Sequence, residues 1–248
     1  TYSIPNAEDI KKFWEEFSCE IKEKNRFFTQ TNLYKDLFNN QVNNKTNIFN
    51  LLIESLTNEY SNGRKFYRAR VHENKLSIDE MGAPPANTAT AGRANPIGIP
   101  YLYLADNKDT AIAEVRPSNA CLVSVGTFQL ISNLKILNLT NPRKDASFLI
   151  HESDNLEECL KYIDLLEIFS SELSKPVLPN KSYLDYIPTQ FLCEYFKTVC
   201  GFDGLVFKSS FEEGNNLVLF EKSFSKGIDM AYFTVKIKHQ SSVISTRN

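Results

Sequence analysis

Apolar residues recur with helical spacing along the first 60 residues of the chain. The clearest set follows the i, i+3, i+4, i+7 pattern of one helix face and consists of Ile10, Phe13, Trp14 and Phe17. Leu33, Leu37 and Phe38 predict a second helix. Apolar positions between Ile48 and Leu56 predict a third, which ends before the Asn62–Gly63 pair because Gly is common just past a helix end. We therefore predict an N-terminal helical region at 1–62 and a second unit at 63–248.

From Lys65 onward the apolar pattern changes to the alternation that is typical of strands. The predicted strands are FYRARV, YLYLA, CLVSVGTFQL, LKILNLT, GLVFKS, NNLVLFE and AYFTVKIK. Between them, NKDTAIAEV predicts a short helix capped by Asp106 and stopped by Pro117, and a helical insert is predicted around 150–200. Strands on both sides of a helical insert favour an α+β class with a mixed sheet over a doubly wound parallel sheet.

The segment from Met81 to Pro100 interrupts this regularity. It holds three of the nine Gly and four of the ten Pro, and its one charged residue is Arg93. Gly and Pro at this density prevent a regular element. A long irregular segment inside a compact domain is either functional or disordered, and disordered segments are usually rich in charge. The segment therefore predicts an ordered binding loop that presents Arg93 to an anion.

Three arginines are candidates for binding that anion. Arg68 and Arg70 share one face of the strand FYRARV, and Arg93 lies in the loop. A guanidinium offers a planar fork of donors that matches phosphate oxygens, so two arginines on one pyrophosphate would suit a dinucleotide. The spacing leaves open the alternative that the strand arginines form a solvated or ion-paired surface.

Two further side chains occur among apolar neighbours. Glu114 lies in the short helix, where a buried carboxylate needs a partner. It could stabilise a developing positive charge, or it could pair with Arg116 or Lys108. Tyr103 shares a strand face with Tyr101, and its ring and hydroxyl suit either a ligand or packing in the sheet.

Small polar residues occur at the ends of two late strands. Ser209 and Ser210 follow GLVFK, and Asn215 and Asn216 open the next strand. Such groups often position a ligand, but they are equally common in ordinary turns. No GxSxG motif occurs, which argues against a serine hydrolase.

Composition excludes several classes of protein. The net charge of −2 argues against unspecific nucleic-acid binding, and no apolar run reaches the roughly 20 residues needed to span a bilayer. The odd count of five Cys without a CxxC motif fits free thiols in a reducing cytoplasm. The three His form no HExxH motif, so we expect no metal site. We therefore expect a cytoplasmic globular protein that does not bind a membrane.

The order Arg, Gly-Arg, Tyr, Glu, Ser, Asn along the chain resembles the RES family, which is named for its Arg, Glu and Ser. The stretches that carry the resemblance are FYRARV, GAPP…AGRANPIGIP, LYLADNKDTAIAEVRP, and GFDGLVFKSS followed by GNNLVLF. RES domains are known as toxins of toxin–antitoxin pairs, with a fold similar to diphtheria-toxin-type ADP-ribosyltransferases. The resemblance implies an α+β, mixed-sheet, ADP-ribosyltransferase-like core with an N-terminal helical appendage.

Catalytic roles are implied by the same resemblance for Arg68, Glu114 and Ser209. Glu114 would be the catalytic carboxylate, and Ser209 would position nicotinamide or its ribose, with Ser210 as a near alternative. The residues that would bind NAD+ are Arg68, Arg93, Tyr103, Ser209 and Asn216. Arg68 and Arg93 would hold the phosphates, and Arg70 matches the first arginine of the family less well than Arg68 does.

Members of the family consume NAD+ by hydrolysis, by phosphorolysis or by modifying a protein. We therefore expect an NAD+ glycohydrolase or phosphorylase that uses NAD+ as substrate, with no metal. The alternatives are an ADP-ribosyltransferase acting on a protein or nucleic acid, and a binding module without activity. The resemblance also implies an antitoxin or immunity protein as partner. The role of the helical region at 1–62 stays open: it could contact a partner, form a contact in a homo-oligomer, or act as a lid over the pocket.

Overall fold

The computed structural model describes residues 7–38, 48–146, 156–175 and 182–235. The α-helices in these ranges are α1 (Ala7–Glu23), α2 (Asn32–Phe38), α3 (Ile48–Ser55), α4 (Lys108–Glu114), α5 (Pro142–Asp145), α6 (Leu156–Ser174), α7 (Ser182–Asp185) and α8 (Ile187–Thr198). The strands are β1 (Thr57–Tyr60), β2 (Lys65–Val71), β3 (Leu102–Ala105), β4 (Leu122–Leu130), β5 (Leu134–Asn138), β6 (Gly204–Lys208), β7 (Asn215–Leu219) and β8 (Ser225–Thr234). Among these described helices, none combines the length and apolar character that crossing a membrane requires.

The strands form one mixed sheet in the order β1-β5-β6-β7-β3-β2-β4-β8. β5 and β6 are parallel, and the other neighbouring strands are antiparallel. β2 pairs with β4 along its whole length, whereas β2 and β3 share the single pair Tyr67–Ala105. The sheet therefore consists of two parts joined by a narrow seam between β2 and β3. The α+β class with a mixed sheet, predicted from the sequence, is confirmed.

One large apolar core lies between the sheet and the helices. Phe17 of α1, Phe169 of α6 and Phe196 of α8 are fully buried in it together with sheet residues such as Leu205. Burial of one such side chain contributes about 1.5–3 kcal/mol. The ring of Phe17 packs edge-on against Phe191, with 5.4 Å between their centroids. The N-terminal helices and the insert helices thus share a core with the sheet.

The end of the N-terminal region differs from its prediction. The apolar spacing predicted helix up to residue 60, but α3 ends at Ser55 and the next residues form β1. β1 pairs with the edge of β5, from Thr57 with Leu137 to Tyr60 with Leu134. Tyr60 also stacks on Phe66, with 5.7 Å between ring centroids. Pairing with the sheet outweighs the local helical pattern, as tertiary context often does.

Other sequence predictions for the helices hold. Ile10, Trp14 and Phe17 are buried on one face of α1, and Phe13 packs against the same core. The helices α6 and α8 lie within the insert that was predicted around 150–200. The parts of that insert at 147–155 and 176–181 lie outside the described residues. The domain boundary at residue 62 stays a prediction.

Candidate active site

A cleft of about 330 Å³ lies at the seam between β2 and β3. Both strands contribute to its lining, together with α4, the Gly/Pro-rich loop, the residue that precedes α8, and β6 and β7. Residues named as candidates from the sequence meet there: Arg68, Arg93, Tyr103, Glu114 and Asn216. Side chains from distant segments of the chain therefore share one hollow, because the two parts of the sheet diverge at the seam.

Glu114 is the acidic group of the cleft. It is the last residue of α4, and its Oε1 accepts hydrogen bonds from Ser209 Oγ at 2.7 Å and from Asn216 Nδ2 at 2.6 Å. Within the described residues, Oε2 receives no hydrogen bond. Two neutral donors thus fix the carboxylate through one oxygen and leave the other for the cleft. The alternative pairing with Arg116 or Lys108 is not formed, and the Arg116 guanidinium lies over the ring of Phe211.

The start of α4 is fixed by polar contacts. The residue that caps it is Asn107, whose Oδ1 accepts from the Thr110 amide at 2.8 Å, and not Asp106 as the sequence suggested. Asp106 instead accepts from the side chain of Asn215 at 2.9 Å, which ties α4 to β7. Gly214 packs so closely that a Cβ would lie 2.1 Å from Thr110 Oγ1. The turn before β7 is therefore seated directly on the helix that carries Glu114.

The two neighbouring serines have different partners. Ser209 Oγ donates to Glu114, and the Phe211 amide donates to Ser209 Oγ at 3.2 Å. Ser210 Oγ donates to the carbonyl of Ser174 at the end of α6, at 2.7 Å. Of the two serines, Ser209 is therefore the one bonded to the cleft carboxylate.

Arg68 contributes a half-buried guanidinium to the cleft. Its Nη1 is shielded from solvent and has no hydrogen-bond partner among the described residues. Burial, together with repulsion from Arg70, lowers the pKa of Arg68 to about 10. The guanidinium is still charged at neutral pH, and a buried charge without a partner is costly. The site therefore has a cation that an anionic ligand would satisfy.

Arg70 lies outside this cleft. Its Nη2 donates to the carbonyl of Gly82 at 2.9 Å, and it lines a neighbouring cavity with His72 and Glu80. Arg68 and Arg70 share a strand face but differ in surroundings, because the seam opens beside Arg68. Arg68 is accordingly the strand arginine that faces the candidate site.

Arg93 borders the cleft from the Gly/Pro-rich loop. Its Nη1 donates to the carbonyl of Leu173 at 3.1 Å and to that of Ser174 at 3.4 Å. These are carbonyls at the end of α6, where a cation is favoured by the helix dipole. Arg93 is thus held by the helical insert, and its other guanidinium donors have no hydrogen-bond partner in the part of the chain that the structure describes.

The loop around Arg93 is organised by buried polar groups. Asn95 is 4% exposed, and its Nδ2 donates to the carbonyls of Thr90, Pro96 and Ile99. Tyr103 donates its hydroxyl hydrogen to Asn95 Oδ1 at 2.8 Å. Burial raises the pKa of the Tyr103 hydroxyl above its ordinary value, so the hydroxyl stays a donor. Tyr103 therefore supports the loop as well as lining the cleft.

A close approach explains one glycine of this loop. A Cβ on Gly92 would lie 2.5 Å from Asn95 Oδ1 and 2.6 Å from the Tyr103 hydroxyl. These distances are shorter than van der Waals contact, so any side chain would push apart the Tyr103–Asn95 bond. The glycine next to Arg93 is therefore required by packing and not by a positive φ.

Two residues of α8 hold the same loop from the other side. Gln190 Nε2 donates to the carbonyls of Gly92 and Asn95, at 2.8 and 2.9 Å, and Thr189 Oγ1 donates to the carbonyl of Arg93 at 2.5 Å. Both side chains are buried. Sequence reasoning missed these residues, and the one signal that pointed to them is their polar character within an amphipathic helix.

Within the described ranges, no group of three or more His, Cys, Asp or Glu side chains is arranged to hold a metal ion.

The RES domain model matches residues 65–236, which is more than two thirds of the chain. No curated protein matches the chain. Among solved structures, the chain is similar to one in the crystal structure of the M. tuberculosis MbcT–MbcA toxin–antitoxin complex. The identity is 13%, the match covers 75% of this chain and 92% of that chain, and the TM-score is 0.38. The extent of the family match shows that the chain belongs to the RES domain family.

Proposed function

We propose that this protein is an NAD+-degrading enzyme that cleaves the nicotinamide–ribose bond, with water or phosphate as acceptor. The observation that carries the proposal is the shared cleft of Arg68, Arg93 and Glu114. Two cations and one acid in one hollow match the charges of a pyrophosphate and of the sugar that becomes positive when nicotinamide leaves. Membership of the RES family, whose toxins act on NAD+, gives independent support.

The arginines supply binding in this proposal. Among the described residues, the buried Nη1 of Arg68 has no partner, so a phosphate oxygen would remove the cost of that unpaired donor. Arg93 keeps one side on the carbonyls that end α6 and uses its remaining donors for the second phosphate. Because both contacts would be present before and during bond cleavage, their loss should raise KM more than it lowers kcat.

Glu114 supplies the electrostatic part of the chemistry. When the bond between C1′ of the ribose and nicotinamide breaks, its electron pair leaves with nicotinamide and positive charge develops on the sugar. The free Oε2 of Glu114 would stabilise this charge more than it stabilises the intact substrate. Water then adds to C1′ and releases a proton, which gives ADP-ribose; phosphate in place of water gives the phosphorylated sugar. Ser209 and Asn216 keep the carboxylate in place.

The central test is a time course of NAD+ with the wild type and with Glu114→Gln, each with and without phosphate. We expect Glu114→Gln to lower kcat by about 10²–10³, since one charge contact in the transition state is lost. The matched control is Glu54→Gln, an exposed position on α3, which should keep wild-type activity. Unchanged NAD+ in the presence of folded wild-type protein would contradict the proposal.

The same experiment with labelled NAD+ separates the other candidates. Free ADP-ribose or its phosphate indicates degradation, whereas label retained on a protein or nucleic acid indicates ADP-ribosyl transfer. A binding module predicts that Glu114→Gln leaves the biological effect unchanged. We also propose that a dedicated antitoxin neutralises the protein, which predicts that co-expression of such a partner restores cellular NAD+ and growth.

A further inference from the structure

The cleft has one aromatic residue that comes from the helical insert. Tyr186 directly precedes α8 and lines the cleft together with Arg93. It lies outside the sequence stretches that carry the RES resemblance, and the charge and motif patterns of the sequence gave no reason to select it. Its position therefore makes the insert part of the wall of the candidate site.

Hydrogen bonds place Tyr186 next to Arg93. Thr189 Oγ1 lies 2.5 Å from the carbonyl oxygen of Arg93 and 2.9 Å from that of Tyr186, and its one hydroxyl hydrogen is shared between them. The amide of Gln190 also donates to the Tyr186 carbonyl, at 2.9 Å. These bonds hold the start of α8 beside Arg93, at the point where Tyr186 lines the cleft.

The other aromatic residues of the cleft already have structural roles. Phe207 and Tyr103 pack in the large helix-side core, and Tyr67 packs against the small cluster beneath α4. Tyr186 belongs to none of the apolar clusters formed by the described residues, and it is half-buried. An aromatic residue in a cleft, without a role in the core, is suited to stacking on a ligand.

We propose that Tyr186 recognises the planar base of the nucleotide whose phosphate is held by Arg93. This inference rests on the proposed function for the identity of the ligand, a dinucleotide, but it concerns binding and not cleavage. The base can stack on the Tyr186 ring while Arg93, which Thr189 fixes beside Tyr186, holds the phosphate of the same nucleotide. The insert would then determine how tightly the substrate binds, whereas the residues around Glu114 carry out the reaction.

The test measures Kd for intact NAD+ by calorimetry in a Glu114→Gln background, where the proposed function expects the substrate to be consumed about 10²–10³-fold more slowly. Stacking of one base on an aromatic side chain predicts that Tyr186→Ala weakens binding by about tenfold or more, while Tyr186→Phe stays within about twofold. Leu184→Ala, two residues earlier on α7 and exposed, is the matched control and should bind as the parent does. Nicotinamide mononucleotide and ADP-ribose are titrated as well, and the compound whose Kd follows the Tyr186→Ala change identifies which base is stacked.

The outcomes separate this inference from the proposed function. If the wild type cleaves NAD+ but Tyr186→Ala binds it as tightly as the parent, the role of Tyr186 is wrong and the enzyme assignment stands. If NAD+ binds in a Tyr186-dependent way but is never cleaved, the recognition role stands and the degradation proposal fails. If NAD+ does not bind at all, both are wrong. Circular dichroism of each variant distinguishes loss of binding from loss of fold.

Discussion

The two walls of the cleft are built in different ways. On the wall formed by α4 and β7, Glu114 is fixed by Ser209 and Asn216, which belong to the same sheet or follow directly from it. On the opposite wall, Arg93 sits in an irregular loop whose carbonyls are held by Thr189 and Gln190 of the insert. Glu114 is thus positioned by the sheet, whereas Arg93 is positioned by α8 of the helical insert.

This difference suggests a division of labour. Contacts within a sheet hold a reacting group in one geometry, which transition-state stabilisation requires. A loop held by a peripheral helix controls how a substrate is gripped and can vary without disturbing the acid. We therefore expect changes on the α4 wall to affect kcat, and changes on the loop wall to affect KM. The expected effects below run from the largest to the smallest.

The largest effect is expected for Arg68→Met, at the seam between the walls. We expect KM for NAD+ to rise by about a hundredfold or more, because a charge-assisted contact to phosphate is lost. We also expect the free energy of unfolding to increase by about 1–2 kcal/mol, because an unpaired buried cation is removed. Steady-state kinetics and urea unfolding measure the two effects. A variant that binds NAD+ normally would show that Arg68 is not the anion-binding residue.

The pH dependence of this stability gain has a defined sign. The pKa of Arg68 is lowered to about 10 in the folded chain, so the cost of burying its charge is present in full at neutral pH. That cost disappears only as the pH rises above about 10. The stability difference between Arg68→Met and the wild type should therefore be constant from pH 6 to about pH 9, which thermal unfolding at several pH values checks.

On the α4 wall, Asn216→Leu should lower kcat by roughly 30-fold and change KM by less than about threefold. The substitution removes one of two donors that orient Glu114 and leaves Ser209 as the other. Because Asn216 acts through Glu114, we expect the substitution to change both kcat and the pH dependence of kcat. Ser210→Ala is the control, since Ser210 donates to Ser174 and not to the carboxylate. A rise in KM alone would mean that Asn216 contacts the substrate directly.

On the loop wall, Gln190→Leu should raise KM by about tenfold and leave kcat within about threefold of the wild type. The change removes both hydrogen bonds from the amide to the carbonyls of Gly92 and Asn95, and the loop that carries Arg93 loses support. Gln190→Glu removes the same two donors at unchanged size, because a carboxylate can only accept, and it should raise KM at least as much. A loss confined to kcat would contradict the division between the walls.

The sequence was most informative where function depends on local pattern. Strand alternation placed Arg68 and Arg70 on one face, and the composition of the loop singled out Arg93. The family resemblance favoured Arg68 over Arg70, but the physical difference between them is the seam, which depends on how β2 and β3 pair and not on either strand alone. The resemblance likewise favoured Ser209 over Ser210, and the structure shows that Ser209 reaches Glu114 whereas Ser210 reaches the end of α6.

Contacts between distant segments were not predictable. Gln190 and Asn95 meet across 95 residues, and nothing near either position indicates the other. In the sequence, nothing distinguishes Tyr186 and Thr189 from other residues of the helical insert. Their positions at the cleft depend on the packing of α8 against the loop. The strand β1 was missed for the same reason, because its pairing partner β5 lies far along the chain.

The narrow seam between β2 and β3 has a consequence for how a ligand can be recognised. After the Tyr67–Ala105 pair the strands separate, so the peptide groups of Arg68 and Ala69 do not continue the ladder with Leu104 and Tyr103. All four residues line the cleft. At the seam, the main-chain groups of these residues therefore lack partners in the opposite strand. Recognition through main-chain groups would tolerate substitutions among the surrounding side chains, since a substitution leaves the peptide group in place.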